Sequence, residues 1–294
     1  MGPLLLLGAD GQLGHEVRVL AAARALDLVA LNRRQLDITA ASEVRAAITG
    51  RFAAVINAAA YTAVDKAERD AAAAFAVNRD GANHVAEACA AAGVRLIHIS
   101  TDYVFDGAKG APYVEDDAVR PLNVYGASKE AGEAVVRAAC ADHVILRTAW
   151  VFGAAGSNFV KTMLRLSGER DGLSIVADQF GCPTPAAALA ARAIAAAGDE
   201  ARGTYHCAGE EPTSWHGFAQ AIFAAQREIT GRPRPKLAAI ATADYPTPAR
   251  RPADSTLDSG LFQATFGEAA IDWRAGLTAV LETLAALPDE EGDL

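Results

Sequence analysis

The sequence predicts an α/β protein, a Rossmann-type doubly wound parallel sheet with a smaller, mostly C-terminal α/β substrate lobe. Short apolar runs alternate with alanine-rich amphipathic stretches through the first half of the chain. The first apolar run leads straight into a glycine-rich turn, and the regular alternation loosens after Trp150.

The elements follow in order. Pro3 to Leu7 reads as the first strand and Glu16 to Leu26 as the helix behind it, followed by strand Asp27 to Leu31 and helix Ser42 to Thr49. Ala54 to Ala59 is a third strand, Ala71 to Ala92 a long helical stretch and Arg95 to Ser100 a fourth strand. Ala127 to Cys140 then reads as a helix and Asp142 to Arg147 as a fifth strand. Beyond Trp150 come a helix from about Asn158 to Leu166, a turn-rich segment from Asp178 to Pro185 and a helix from Ala186 to Ala197. Proline and arginine gather between Arg232 and Pro252, which predicts a surface-lining loop. A short acidic end runs from Asp289 to Asp293. Residues 1–150 are expected to form the dinucleotide-binding unit, with 182–201 and part of 240–262 packed on it. Residues 151–181 and 202–294 are expected to form the lobe.

At 294 residues, 51% of them hydrophobic, the chain can bury a large core without disulfides. Its four cysteines, Cys89, Cys140, Cys182 and Cys207, form no CxxC pair and have no histidine cluster beside them, so no metal site is expected. No leader or membrane-spanning run is evident, and a cytoplasmic location is expected. A net charge of -9 gives no general attraction to nucleic acid. An anionic ligand must therefore be held by local groups: the amides of the glycine turn, the pair Arg33 and Arg34, or the pair Arg250 and Arg251.

The glycine turn is Gly8-Ala9-Asp10-Gly11-Gln12-Leu13-Gly14, at the first strand-to-helix junction. Glycines there permit a tight turn and close backbone approach, so that a pyrophosphate sits on the amides at the helix N-terminus. At the end of the second strand, Leu31-Asn32-Arg33-Arg34 carries arginines where an NAD-selective site carries an acid. Guanidinium groups at that point favour a 2′-phosphate, hence NADPH, with NADH as the alternative. Asp37-Ile38 follows, and Asp37 is a candidate acceptor for the adenine amine.

The chemistry is expected from Ser100-Thr101 at the end of the fourth strand and from Tyr125-Gly126-Ala127-Ser128-Lys129. With six tyrosines in the chain the Tyr-to-Lys spacing is weak alone. Its position after a nucleotide turn and a strand-ending hydroxyl makes it specific, because i to i+4 puts Tyr125 and Lys129 on one helical face. Lys129 is expected to lower the Tyr125 pKa and to hold the nicotinamide ribose, making Tyr125 the proton donor. Thr101 is expected to donate a hydrogen bond to a substrate carbonyl that turns negative as hydride arrives.

Together these segments resemble the extended short-chain dehydrogenase/reductase family over nearly the whole chain. The resemblance rests on Gly8 to Gly14, Asn57 to Glu68, Ser100 to Gly107, Pro121 to Gly126, Arg147 to Trp150, Asp178 to Thr184 and Arg251-Pro252. It implies that Ala60, Tyr61 and Thr62 line the cofactor cleft. Val64, Thr101, Asp102 and Trp150 would touch a sugar nucleotide, with Asn158 and Arg251 helping to hold its nucleoside or phosphates. The implied reaction is NADPH-dependent reduction of the C4 carbonyl of dTDP-4-dehydro-L-rhamnose, or of another 4-keto deoxysugar nucleotide. A non-catalytic NADP-binding subunit of the same fold is the other reading, and retention of Thr101, Tyr125 and Lys129 disfavours it. Dehydratases of the family carry an Asp-Glu pair after the active-site threonine, whereas here Asp102 is followed by Tyr103. Some members bind Mg²⁺ through glutamates at a dimer interface. Glu16 matches one ligand, but Pro185-Ala186-Ala187-Ala188 stands where another would come, so a magnesium bridge is not expected and the chain is read as a monomer or homodimer.

Overall fold

Four consecutive leucines, Leu4–Leu7, form the first strand of a computed structural model that describes residues 2–286. The acidic segment Asp289 to Asp293 lies outside the described residues. All four leucines are buried, because a central parallel strand is covered on both faces and alternation disappears. The strands are β1 (Leu4–Leu7), β2 (Leu28–Leu31), β3 (Ala54–Asn57), β4 (Arg95–Thr101), β5 (His143–Thr148) and β6 (Gly203–His206). They pair in the order β6-β5-β4-β3-β1-β2, and every pairing is parallel. The chain leaves β1 toward β2 and then returns to the other side of β1 as β3. That reversal opens a crevice at the carboxyl ends of the strands, where such sheets bind ligands.

The helices are α1 (Gln12–Ala23), α2 (Ala41–Ala47), α3 (Val64–Ala67), α4 (Ala71–Phe75), α5 (Ala82–Ala92), α6 (Val124–Ala139), α7 (Phe159–Glu169), α8 (Ala186–Ala197), α9 (Trp215–Thr230), α10 (Gly260–Phe266) and α11 (Trp273–Ala286). One face of the sheet packs on α1, α8 and α10 through Leu4, Leu6, Val17, Leu189 and Phe262. The other packs on α2, α5 and α6 through Leu5, Leu7, Val44, Val85 and Val136. Alternate residues of one strand thus serve opposite layers. A third core, around Phe152, Phe218, Phe223, Trp273 and Leu277, joins α7, α9 and α11 beside the sheet.

Several boundaries differ from expectation for identifiable reasons. The stretch Ala71 to Ala92 is interrupted by a π-helical segment, Ala76–Gly81. Gly132 of α6 approaches the Asn78 carbonyl there so closely that a Cβ would collide with it. Helix α6 starts at Val124 rather than Ala127, because the Asn123 side chain accepts the Gly126 N–H at 2.8 Å and caps the helix earlier. Residues 203–206, assigned from sequence to the lobe, are the edge strand of the main sheet beside β5. The expected loop between Arg232 and Pro252 contains a strand, Lys236–Ile240, paired parallel with Gly172–Val176.

Candidate active site

The glycine turn is shaped by backbone contact. Gly8 has a φ of +84°, and a Cβ there would lie 2.7 Å from the Ala59 nitrogen. A Cβ on Gly14 would overlap the Gly8 carbonyl. Helix α1 has Gly11 as its N-cap and no side chain capping it, so its first amides point into the crevice unengaged by a side chain. Two cavities of about 340 Å³ and 550 Å³ share Asp10, Gly11, Ala58, Ala60 and Thr62 as walls and form one trough over β2, β1, β3, β4 and β5.

The first cavity gathers Gly8, Asp10, Gly11, Arg33, Asp37, Ile38, Ala60, Tyr61 and Thr62. Arg33 lines it and Arg34 does not. Arg33 Nε lies 3.3 Å from Asp37 Oδ2 with its side chain largely exposed. The Asp37 carboxyl is held below its usual range, chiefly by the Thr39 amide and also by the Thr39 hydroxyl and Arg33. The second cavity gathers Gln12, Leu13, Gly14, Thr101, Asp102, Tyr125, Lys129 and Trp150. Val64 begins α3 and lines neither. Asn158 is the N-cap of α7: its oxygen accepts the Lys161 N–H, and its amide donates to Gln12 at 2.9 Å and to the Gly153 carbonyl at 2.8 Å. Its side chain is thus occupied within the protein, and it too lines neither cavity.

Tyr125 and Lys129 stand one turn apart on α6 and meet Thr101, the last residue of β4, in the same cavity. The Tyr125 phenol is raised rather than lowered as expected. Burial pushes the phenol up to about 12, the Thr101 hydroxyl partly offsets this, the Asp102 charge adds to it, and Lys129 is not among the causes. The Lys129 ammonium donates instead to the Ile99 carbonyl at 2.6 Å. Burial lowers the lysine to about 8, against the opposing charge of Glu133. The Thr101 hydroxyl donates to Asp102 Oδ1 at 3.0 Å and accepts the Tyr103 N–H at 3.2 Å.

Three supports around the site were not foreseen. Asn78, in the π-helical segment, accepts the Tyr61 N–H at 2.8 Å and donates to the Tyr61 carbonyl and to Ser128, clamping the Ala60–Thr62 wall. Glu133 is fully buried and takes Ser100 at 2.6 Å, Arg147 through two nitrogens and Arg137 at 3.0 Å. Ser255 donates to Asp102 Oδ2 at 2.5 Å from the C-terminal part of the chain. The contacts Asn78 to Ser128, Ser100 to Glu133 and Ser255 to Asp102 span 50, 33 and 153 positions, and no local spacing announces them.

Trp150 has a φ of +46°, a left-handed conformation costly for a bulky residue. Its indole stacks on Trp215 with centroids 3.5 Å apart and rings 7° from parallel. A Cβ on Gly181 would lie 2.6 Å from that indole. A third cavity, of about 680 Å³, is lined by Phe159, Arg170, Gln179, Trp215, Tyr245 and Arg251 among others. Among the described residues no three His, Cys, Asp or Glu converge as a metal cluster, and no helix is long and apolar enough to cross a membrane.

A parallel sheet with this strand order, a glycine turn at its switch point and a Thr, Tyr and Lys in the adjoining cleft define an NAD(P)H-dependent oxidoreductase. A family model described as the RmlD substrate binding domain matches residues 2–286. A dTDP-4-dehydrorhamnose reductase of Sinorhizobium fredii is 45% identical over 92% of this chain and 93% of its own. That of Escherichia coli K12 is 40% identical over 96% and 97%. The crystal structure of a dTDP-4-dehydrorhamnose reductase from Clostridium acetobutylicum matches with a TM-score of 0.91 and 36% identity, covering 96% of this chain and 99% of that one. One from Bacillus anthracis in complex with NADP gives 0.89 and 34%, covering 95% and 98%. The chain belongs to the dTDP-4-dehydrorhamnose reductase family.

Proposed function

We propose that the protein reduces the C4 carbonyl of dTDP-4-dehydro-L-rhamnose with NADPH to give dTDP-L-rhamnose, a sugar nucleotide for cell-surface polysaccharide. The observation that carries this is the convergence of Thr101, Tyr125 and Lys129 on one wall of a trough that begins at the glycine turn. The residues present fit a dinucleotide: Gly8 and Gly14 keep the backbone bare where any Cβ would collide, and the first amides of α1 suit a pyrophosphate. Gly11, Gln12, Leu13 and Gly14 would hold that pyrophosphate. Arg33 would face the 2′-phosphate, Asp37 and Ile38 the adenine, and Ala60 to Thr62 the middle of the cofactor. Bound NADPH supplies the hydride.

The protein's own residues do the rest. Tyr125, un-ionised because burial holds its phenol at about 12, carries the proton that the C4 oxygen needs. Lys129, reaching the carboxyl end of β4, is placed to hold the nicotinamide ribose and bring a positive charge beside the reacting oxygen. Thr101 orients that oxygen. The third cavity, with Trp215 and Tyr245 as aromatic surfaces and Arg170 and Arg251 as cations, suits a pyrimidine nucleoside diphosphate.

The test is NADPH oxidation by the purified protein with dTDP-4-dehydro-L-rhamnose beside other 4-keto sugar nucleotides. Preferred turnover of the first is expected. Tyr125→Phe should lose at least about a hundredfold in kcat while still binding NADPH. Unchanged turnover in that variant overturns the assignment of Tyr125.

A further inference from the structure

We propose that Asp102 and Ser255 set the direction of the hydrogen bonds at Thr101, and that the neutral acid form of Asp102 is the form that frees Thr101 to act. The inference rests on the reductase reading above and adds two positioning residues to it.

The reasoning is a count of hydrogens. A threonine hydroxyl has one to give. With Asp102 ionised, both carboxylate oxygens accept: Oδ2 takes the Ser255 O–H at 2.5 Å and Oδ1 takes the Thr101 O–H at 3.0 Å. The Tyr103 N–H also donates to the Thr101 oxygen. Thr101 then has no hydrogen left for the C4 oxygen or for Tyr125, which it faces. A proton on Oδ1 of Asp102 reverses the arrangement. Asp102 donates to Thr101, Thr101 still accepts from Tyr103, and its own O–H turns toward Tyr125 and the reacting oxygen. Every group stays satisfied, and Ser255 keeps its place on Oδ2. Asp102 retains its proton throughout turnover, and the proton delivered to the C4 oxygen comes from Tyr125.

Electrostatics point the same way. Asp102 is 2% exposed. Burial drives its carboxyl up to about 6, although Ser255, Thr101 and nearby amides hydrogen-bond to the ionised form. The titratable groups around it are Tyr103 on its own turn, Tyr125 from α6 and Cys182 from the 180–182 segment, all raised in part by its negative charge. Arg251, the cation on this side, acts on Tyr103. An ionised Asp102 therefore opposes negative charge at Tyr125 and at the oxygen beside it, as well as taking the hydrogen of Thr101.

The test is the pH profile of kcat/KM from pH 5 to 9 for the wild-type protein, Asp102→Asn and Ser255→Ala, with NADPH affinity measured by fluorescence at each end. The wild type should fall in two steps, near 6 for Asp102 and near 8 for Lys129. Asp102→Asn, whose amide donates at every pH, should lack the lower step. Ser255→Ala should move that step to higher pH, because it removes a donor that favours the ionised carboxylate. A lower step that persists in Asp102→Asn, or loss of its turnover at every pH with NADPH still bound, overturns the inference. A lower step that does not move in Ser255→Ala does the same, even where Asp102→Asn fails to fold. A wild type that turns over without a lower step sinks this inference alone, whereas one that never oxidises NADPH sinks the reductase reading beneath it.

Discussion

Arg251 and Asp65 face each other beside the third cavity, with Nη2 to Oδ2 at 2.8 Å and Nη1 to Oδ1 at 3.1 Å. The pair ties α3 to the loop that carries Arg251 into the third cavity, and the same aspartate accepts the Ala249 N–H. Arg251 holds the Asp65 carboxyl below its usual range, its hydrogen bond outweighing partial burial. If the guanidinium also receives a substrate phosphate, Arg251→Ala should raise the sugar-nucleotide KM about ten- to hundredfold, the effect of losing one charge-assisted hydrogen bond. The NADPH Kd should stay within about twofold, since Arg251 lines neither cofactor cavity. Steady-state kinetics beside equilibrium NADPH titration separates the two.

Cofactor preference turns on one arginine. Arg33 lines the first cavity and Arg34 does not. Arg33→Ala should therefore weaken NADPH about tenfold and leave NADH nearly unchanged, whereas Arg34→Ala should do little to either. Fluorescence titration with both cofactors checks this, and equal losses would remove Arg33 from the 2′-phosphate.

Lys129 sets an upper pH limit. Burial lowers its ammonium to about 8, so it is charged at neutral pH and loses its proton as pH rises through that value. Turnover should fall over the same interval. Lys129→Arg keeps a cation at every pH used. Whatever activity this variant retains should lack the step near 8.

Glu133 is a stability element. It is wholly buried, and it accepts from Ser100 on β4, Arg147 on β5 and Arg137 on its own helix. Burial is the strongest influence and opposes its ionisation, but Arg147, Ser100 and Arg137 together outweigh it and keep the carboxyl below its usual range. Glu133→Ala would leave Arg147 buried without its partner, at a cost of about 3–5 kcal/mol. Urea unfolding should show the loss as a lower midpoint, and a midpoint shift worth less than about 1 kcal/mol would contradict it.

What could be read from the chain alone follows the range of the interactions. β1, β3, β4 and β5 carry apolar runs that both faces of the sheet bury, β2 is a half-buried apolar run at its edge, and Ala186–Ala197 has a helical composition throughout, so these were legible. β6, Gly-Thr-Tyr-His, is an edge strand with a single large apolar side chain and gives no such signal. Thr101, Tyr125 and Lys129 were legible because two of them share a helix spacing and the third ends a strand. The pKa of Tyr125 was not, since it depends on how deeply the fold buries the phenol and on Asp102. Nor was the Ser255 to Asp102 contact, which spans 153 positions.

Trp150 is constrained from three sides. Its backbone lies where glycine is most at ease, its ring is stacked on Trp215, and Gly181 leaves no room behind it. A smaller side chain at 150 keeps the strained backbone without the stack. A larger one at 181 displaces the indole, and loss of Trp215 leaves it without its stacking partner. The three positions form an interlocked set whose members can be exchanged only together, so single-step drift is closed to this part of the cleft.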